Sequence, residues 1–187
     1  MELVGSVPRT EEFSVDELSK RYTALLRFLL TTASYPGGAP FISPANLQGI
    51  VLDIGFGCCD AGERALRAVG AERVDSIMVP KPRIFTSKPP LNYVAEREAV
   101  KSQLVAHLRL IKPSPASIPI RLVTVFDHWG DLIGTEAGRE IDRTLAPGGQ
   151  RLITVRDRAN VTTDFGRVWH PLDQRFYPNA AVSIFTK

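Results

Sequence analysis

The segment Asp53-Ile54-Gly55-Phe56-Gly57-Cys58-Cys59-Asp60 places a carboxylate and two spaced glycines at the end of an apolar run. Glycines at such a turn let the backbone approach a ligand with no Cβ in the way. An acid at the same point accepts a hydrogen bond from an amine or a hydroxyl. Spacing excludes two nucleotide chemistries. A dinucleotide fingerprint needs Gly-x-Gly-x-x-Gly, whose third glycine permits close helix packing against a pyrophosphate. Counted from Gly55, that slot holds Asp60, an acid that repels a diphosphate. A phosphate loop needs Gly-Lys-Ser/Thr, and none follows. The second constellation is Phe126-Asp127-His128-Trp129-Gly130-Asp131. His128 has a pKa range suited to a general base, and Asp127 can orient it or bind a substrate directly. The plain alternative is that Asp127 caps the next helix and His128 is merely exposed. Trp129 offers either a stacking face or a core contact. His107 sits in a helical pattern, and His170 lies in Val168-Trp169-His170-Pro171. No pair of histidines has metal-ligand spacing, and adjacent Cys58 and Cys59 cannot complete a zinc site alone, so no metal is expected.

The elements that must position these residues follow from periodicity. Ser14-Val15-Asp16-Glu17 has the form of a capping box. Val15, Leu18, Tyr22, Leu25, Leu26 and Leu29 then recur at helical spacing to about residue 33. Residues 1–13 read as a flexible leader. Ile50 to Ile54 and Val74 to Val79 are short apolar runs of the kind that form strands buried on both faces. A helix from about Asp60 to Val69 separates them, broken by Gly70. Residues 80–90 contain four prolines and exclude regular structure. A long helix from Asn92 to Lys112 carries Val100, Leu104, Leu108 and Ile111 on one face. Ile120 to Phe126 predicts a third strand, 135–145 a helix, Arg151 to Val155 a fourth strand and Ala180 to Phe185 a last one. Strands alternating with helices predict a single α/β domain with a mainly parallel sheet. In such a sheet, ligands lie beyond the carboxyl ends of the strands.

Val51-Leu52-Asp53-Ile54-Gly55-Phe56-Gly57 resembles the first motif of the class I S-adenosylmethionine-dependent methyltransferases. Arg139 to Ile153, with its helix, Pro147-Gly148-Gly149 turn and strand, resembles a later part of the same family. The resemblance spans about residues 50–156. It implies a Rossmann-like doubly wound sheet with an antiparallel C-terminal strand and S-adenosyl-L-methionine as cofactor. It further implies that Asp53 lies near the methionine amino group and that Gly55, Phe56 and Gly57 pass beneath the cofactor. The segment Asp127-His128-Trp129 becomes a loop bordering both cofactor and acceptor. Three departures make the cofactor site a degenerate one. Cys59 replaces the family's next glycine, and its side chain intrudes on the cofactor. Met78 stands where an acid usually holds the ribose hydroxyls. No third strand is recognisable between Pro80 and Pro119.

Composition bounds the partners. Of 187 residues, 44% are apolar and 23% charged, the balance of one ordinary globular domain. No apolar run reaches the ~20 residues of a membrane span, so no membrane partner is expected. Two adjacent cysteines predict a reduced, cytoplasmic protein. The net charge of +3 permits an anionic acceptor without the density of a nucleic-acid arm. The basic stretch 81–112 suits either RNA or a solvated helix face. A ribose-methylating version of RNA methylation needs two lysines, an aspartate and a glutamate. Lys20 and Asp127 supply two members, but Thr154 or Arg156 occupies the second lysine's place and 180–185 contains no glutamate. Arginine exchanges protons poorly and is a weak substitute. The function expected is therefore a methyltransferase for a small-molecule or RNA acceptor. Its competitor is a methyltransferase-like scaffold that works through a protein partner or as a homodimer.

Overall fold

The computed structural model describes residues 14–33, 37–56, 60–79, 93–112, 119–128, 135–155, 169–170 and 181–187. In chain order the elements are α1 (Val15–Thr31), β1 (Ile50–Phe56), α2 (Ala61–Ala68), β2 (Arg73–Val79), α3 (Tyr93–Leu110), β3 (Ile120–His128), α4 (Thr135–Thr144), β4 (Gln150–Val155), β5 (Trp169–His170) and β6 (Ala181–Thr186). A 3-10 turn at Pro44–Leu47 leads into β1. The capping box at α1 is formed: Ser14 Oγ accepts from Glu17 N at 3.2 Å, and Glu17 Oε2 accepts from Ser14 N at 2.9 Å. The leader lies outside the described residues.

Among the described residues, six strands run in the order β2-β1-β3-β4-β6-β5. Strands β2, β1, β3 and β4 are mutually parallel neighbours, and β6 inserts antiparallel between β4 and β5. After β2 the chain crosses to the other side of β1 to form β3, so β1 lies at the switch in winding direction. Both faces are covered. Val51, Leu122 and Leu152 pack with Tyr22, Leu25, Leu26 and Leu29 of α1 and Ala65 and Leu66 of α2. Leu52, Val123 and Ile153, each one residue on, pack with Leu104 and Leu108 of α3 and Ile141 of α4. This is the period-two alternation of a sheet buried on both sides. The α/β doubly wound architecture is as expected from the sequence.

Side chains fix the amino edge of the sheet. Gln150 begins β4, and its Oε1 accepts from Ser43 N (2.8 Å) and Asn46 Nδ2 (2.9 Å). Its Nε2 donates to Phe41 O (2.9 Å) and Thr186 Oγ1 (3.1 Å). The segment between α1 and β1 is thereby tied to β4 and β6. Arg143 of α4 donates to the carbonyls of Leu108 (2.9 Å) and Ile111 (3.0 Å), satisfying the end of α3. The Pro147-Gly148-Gly149 turn needs its glycine, because Gly148 has φ +76°.

The structure corrects two boundaries. Asp127 and His128 are not in a loop but are the last residues of β3, with His128 opposite Val155 of β4 after an irregularity. The pair Trp169–His170 forms a short strand against β6 that periodicity did not indicate.

Candidate functional site

Asp53 sits in β1 with Ser76 of β2 and Thr124 of β3 as its lateral neighbours. Its side chain projects to the α1/α2 face, where it is 5% exposed. Thr124, fully buried, donates its hydroxyl to Asp53 Oδ1 at 2.6 Å. On the other side lies Gly62 in the first turn of α2. A Cβ on Gly62 would stand 2.9 Å from Asp53 Cγ and 3.0 Å from Oδ1, and nearer still to Oδ2. The helix therefore approaches the carboxylate closely only because residue 62 has no side chain.

An open cleft begins at this carboxylate, lined by Asp53, Gly55, Asp60, Glu63, Ser76, Ile77 and Met78. It lies where β1, β2 and the start of α2 meet, towards the carboxyl ends of the strands. Among the described residues, every charged one in that lining is an acid. Glu63 is engaged by Arg67 at 2.8 Å, while Asp60, at the N-cap of α2, makes no capping bond with its side chain. Burial pushes the Asp53 carboxyl from 3.8 up to about 6; the Thr124 hydrogen bond pulls it down, and the Glu63 carboxylate pushes it further up. A cationic group entering the cleft relieves that penalty, whereas a phosphate aggravates it. The surface thus suits an amine or sulfonium ligand, in keeping with the failed pyrophosphate motifs.

Asp53, Gly55 and Met78 are brought together here, with Gly55 directly opposite Met78. Phe56 ends β1. Gly57, Cys58, Cys59, Trp129 and Arg156 lie outside the described residues. Asp127 and His128 follow Thr124 along β3 towards the same carboxyl edge. Met78 is 46% exposed on the cleft wall and offers no acceptor for a hydroxyl. Asp75 does not compensate, since it is paired with Arg73 at 3.1 Å near the start of β2. Thr154 is fully buried in β4, and Lys20 is exposed on α1. His107 is exposed on α3, its Nδ1 2.8 Å from Gln103 O. Among the described residues no group of three His, Cys, Asp or Glu side chains is placed to hold a metal, and no helix is long and apolar enough to cross a membrane.

Three participants escaped sequence reasoning: Thr124, Gly62 and Glu63. The signals for the first two were a hydroxyl inside an apolar strand, Leu122-Val123-Thr124-Val125-Phe126, and a glycine in the first turn of a helix.

Strand order and the antiparallel β6 define a Rossmann-like, doubly wound α/β fold, with a small cleft beside the switch point. The sequence matches no protein-family model and no curated protein. Among solved structures it is similar to the release-factor-specific protein-(glutamine-N5) methyltransferase of Alicyclobacillus acidocaldarius, at 13% identity and a TM-score of 0.41, covering 92% of this chain and 98% of that one. At that level of similarity the fold rests on its own strand order.

Proposed function

We propose that the chain is a cytoplasmic S-adenosylmethionine-dependent methyltransferase acting on a small-molecule or RNA acceptor. The observation that carries this reading is the buried Asp53 carboxylate at the head of a cleft whose charged lining, among the described residues, is acidic. Asp53 accepts from the cofactor's amine, and Gly55 leaves room for its backbone-hugging chain. Ile77 and Met78 supply an apolar wall. When bound, the cofactor supplies a methyl group activated on a sulfonium, and the protein's task is chiefly alignment. Asp127 and His128, at the end of β3, are assigned to the acceptor side, with His128 as the base for a hydroxyl acceptor and Asp127 bordering the cofactor as well. The basic stretch 81–112 speaks only weakly for RNA, because Lys101 is paired with Glu98 at 3.0 Å and Arg109 contacts Glu136.

A second reading is favoured by Met78, which leaves the hydroxyl-binding position without an acid. In it the chain is a methyltransferase-like scaffold serving a protein partner or a homodimer. Calorimetric titration with S-adenosylmethionine and S-adenosylhomocysteine separates the two. Saturable binding that Gly55→Val removes is expected. Wild-type protein that releases no binding heat with either compound contradicts the enzyme reading and leaves the scaffold. Once an acceptor is methylated, His128→Ala should lower turnover by about two to four orders of magnitude with cofactor affinity nearly unchanged.

A further inference from the structure

We propose that Thr124 is a positioning residue of this site, clamping the Asp53 carboxylate in one orientation, against the bare Cα of Gly62, so that it can receive the ligand's amine. The inference rests on the function proposed above and adds a residue that acts through Asp53 rather than on the ligand itself.

Four observations converge on it. Asp53 and Thr124 are opposite one another in the β1–β3 register. Their side chains meet at 2.6 Å, although 71 positions separate them in sequence. Gly62 closes the other side so tightly that no side chain fits there. The Tyr22 ring stacks on Phe126, two residues further along β3, with centroids 4.4 Å apart. Packing of α1 therefore also holds the stretch of strand from which Thr124 projects.

Stability alone does not account for this arrangement. A fully buried hydroxyl costs free energy unless bonded, and a buried carboxylate costs more. Valine has nearly the shape of threonine and suits a strand at least as well. A valine in place of Thr124 and an apolar residue in place of Asp53 would fill this layer without any polar atom. The pair is thus a polar device set into an apolar face, at the point where the cleft opens.

Among the described residues, the charged groups facing Asp53 are few. From α2 come Glu63, held by Arg67 at 2.8 Å, and Asp60 across the cleft; β2 contributes uncharged Ser76 and β3 uncharged Thr124. No lysine or arginine lines the cleft among the described residues. Among those same residues, Thr124 is the only hydrogen-bonding side chain that favours the ionised form of Asp53, opposing burial and Glu63. Losing it must push the carboxyl's titration upwards and leave less of the charged form at neutral pH.

The test compares wild type, Thr124→Val and Thr124→Ser, with Thr124→Ala in place of valine if that variant does not fold. Two readouts are needed: the Asp53 carboxyl titration by carbon NMR without ligand, and S-adenosylhomocysteine affinity as a function of pH. Wild type should titrate at about 6. Thr124→Val should titrate higher and Thr124→Ser near wild type. Affinity at neutral pH should fall about tenfold in Thr124→Val and recover in Thr124→Ser; at alkaline pH, where Asp53 is ionised in all, Thr124→Val should regain only part of the loss because the carboxylate is still unclamped. Wild-type binding with an unmoved titration and an unchanged pH profile in a folded Thr124→Val overturns the clamp but spares the proposed function. No binding by wild type overturns the proposed function and this inference with it.

Discussion

Asp53 is the residue at which stability and the proposed function pull in opposite directions. Burial raises its carboxyl from 3.8 to about 6, so the folded chain holds that proton more tightly than the unfolded chain does. The linkage sign follows: stability falls as pH rises from 3.8 to about 6, and the full cost is present above about 6. At about 1.4 kcal/mol per pKa unit, the penalty at neutral pH is on the order of 2–3 kcal/mol. Asp53→Asn keeps an acceptor for the Thr124 hydroxyl and removes the buried charge. It should therefore raise unfolding free energy at neutral pH by about 1–3 kcal/mol and flatten the difference between acidic and neutral conditions. Urea denaturation of both proteins across that range checks it, and the same variant should bind S-adenosylmethionine poorly. A destabilised Asp53→Asn would mean that the carboxylate serves the fold. Asp53 and Gly55 were legible because an acid followed by spaced glycines at a strand end has a local sequence pattern. Thr124 was not, because its role exists only once two strands 71 positions apart are laid side by side.

At the scale of elements, α2 shows how a propensity rule is overridden by contact. Alanine is a better helix former than glycine by about 1 kcal/mol, so Gly62→Ala in an isolated helix would be stabilising. Here the new Cβ runs into the Asp53 carboxyl, which is already held by Thr124. Either α2 or the carboxylate must give way. The variant should lose about 1–3 kcal/mol of stability and most of its cofactor affinity. Chemical denaturation and calorimetry on Gly62→Ala decide this, and a gain in stability with affinity intact would remove α2 from the site. The strands and helices were readable as a set because apolar runs and helical stripes repeat along the chain. Their ends were less so. β3 extends through Asp127 and His128 because a ladder partner, Val155, continues the pairing where the apolar signal stops. The pair Trp169–His170 is a strand only by virtue of β6 beside it. The capping box at Ser14 was read correctly because its two hydrogen bonds are local.

For the molecule as a whole, the two edges of the sheet divide the work. The amino edge is closed by the Gln150 hydrogen bonds to Ser43, Asn46, Phe41 and Thr186. The carboxyl edge is left open between β1, β2 and α2, where the acids gather. This polarity follows from the winding. Reversal of the winding leaves a crevice beyond the carboxyl ends of β1 and β3, next to the cleft that β1, β2 and α2 line. A net charge of +3 means that this acidic cleft is set into a mildly basic chain. The measurement that tests this most directly is a map of backbone amide shifts in nitrogen-labelled protein titrated with S-adenosylhomocysteine. The account predicts saturable shifts concentrated at Gly55, Gly62, Glu63, Ser76 and Met78, with Gln150 and its partners unmoved. Shifts centred on the Gln150 edge, or none at all at saturating ligand, would contradict it.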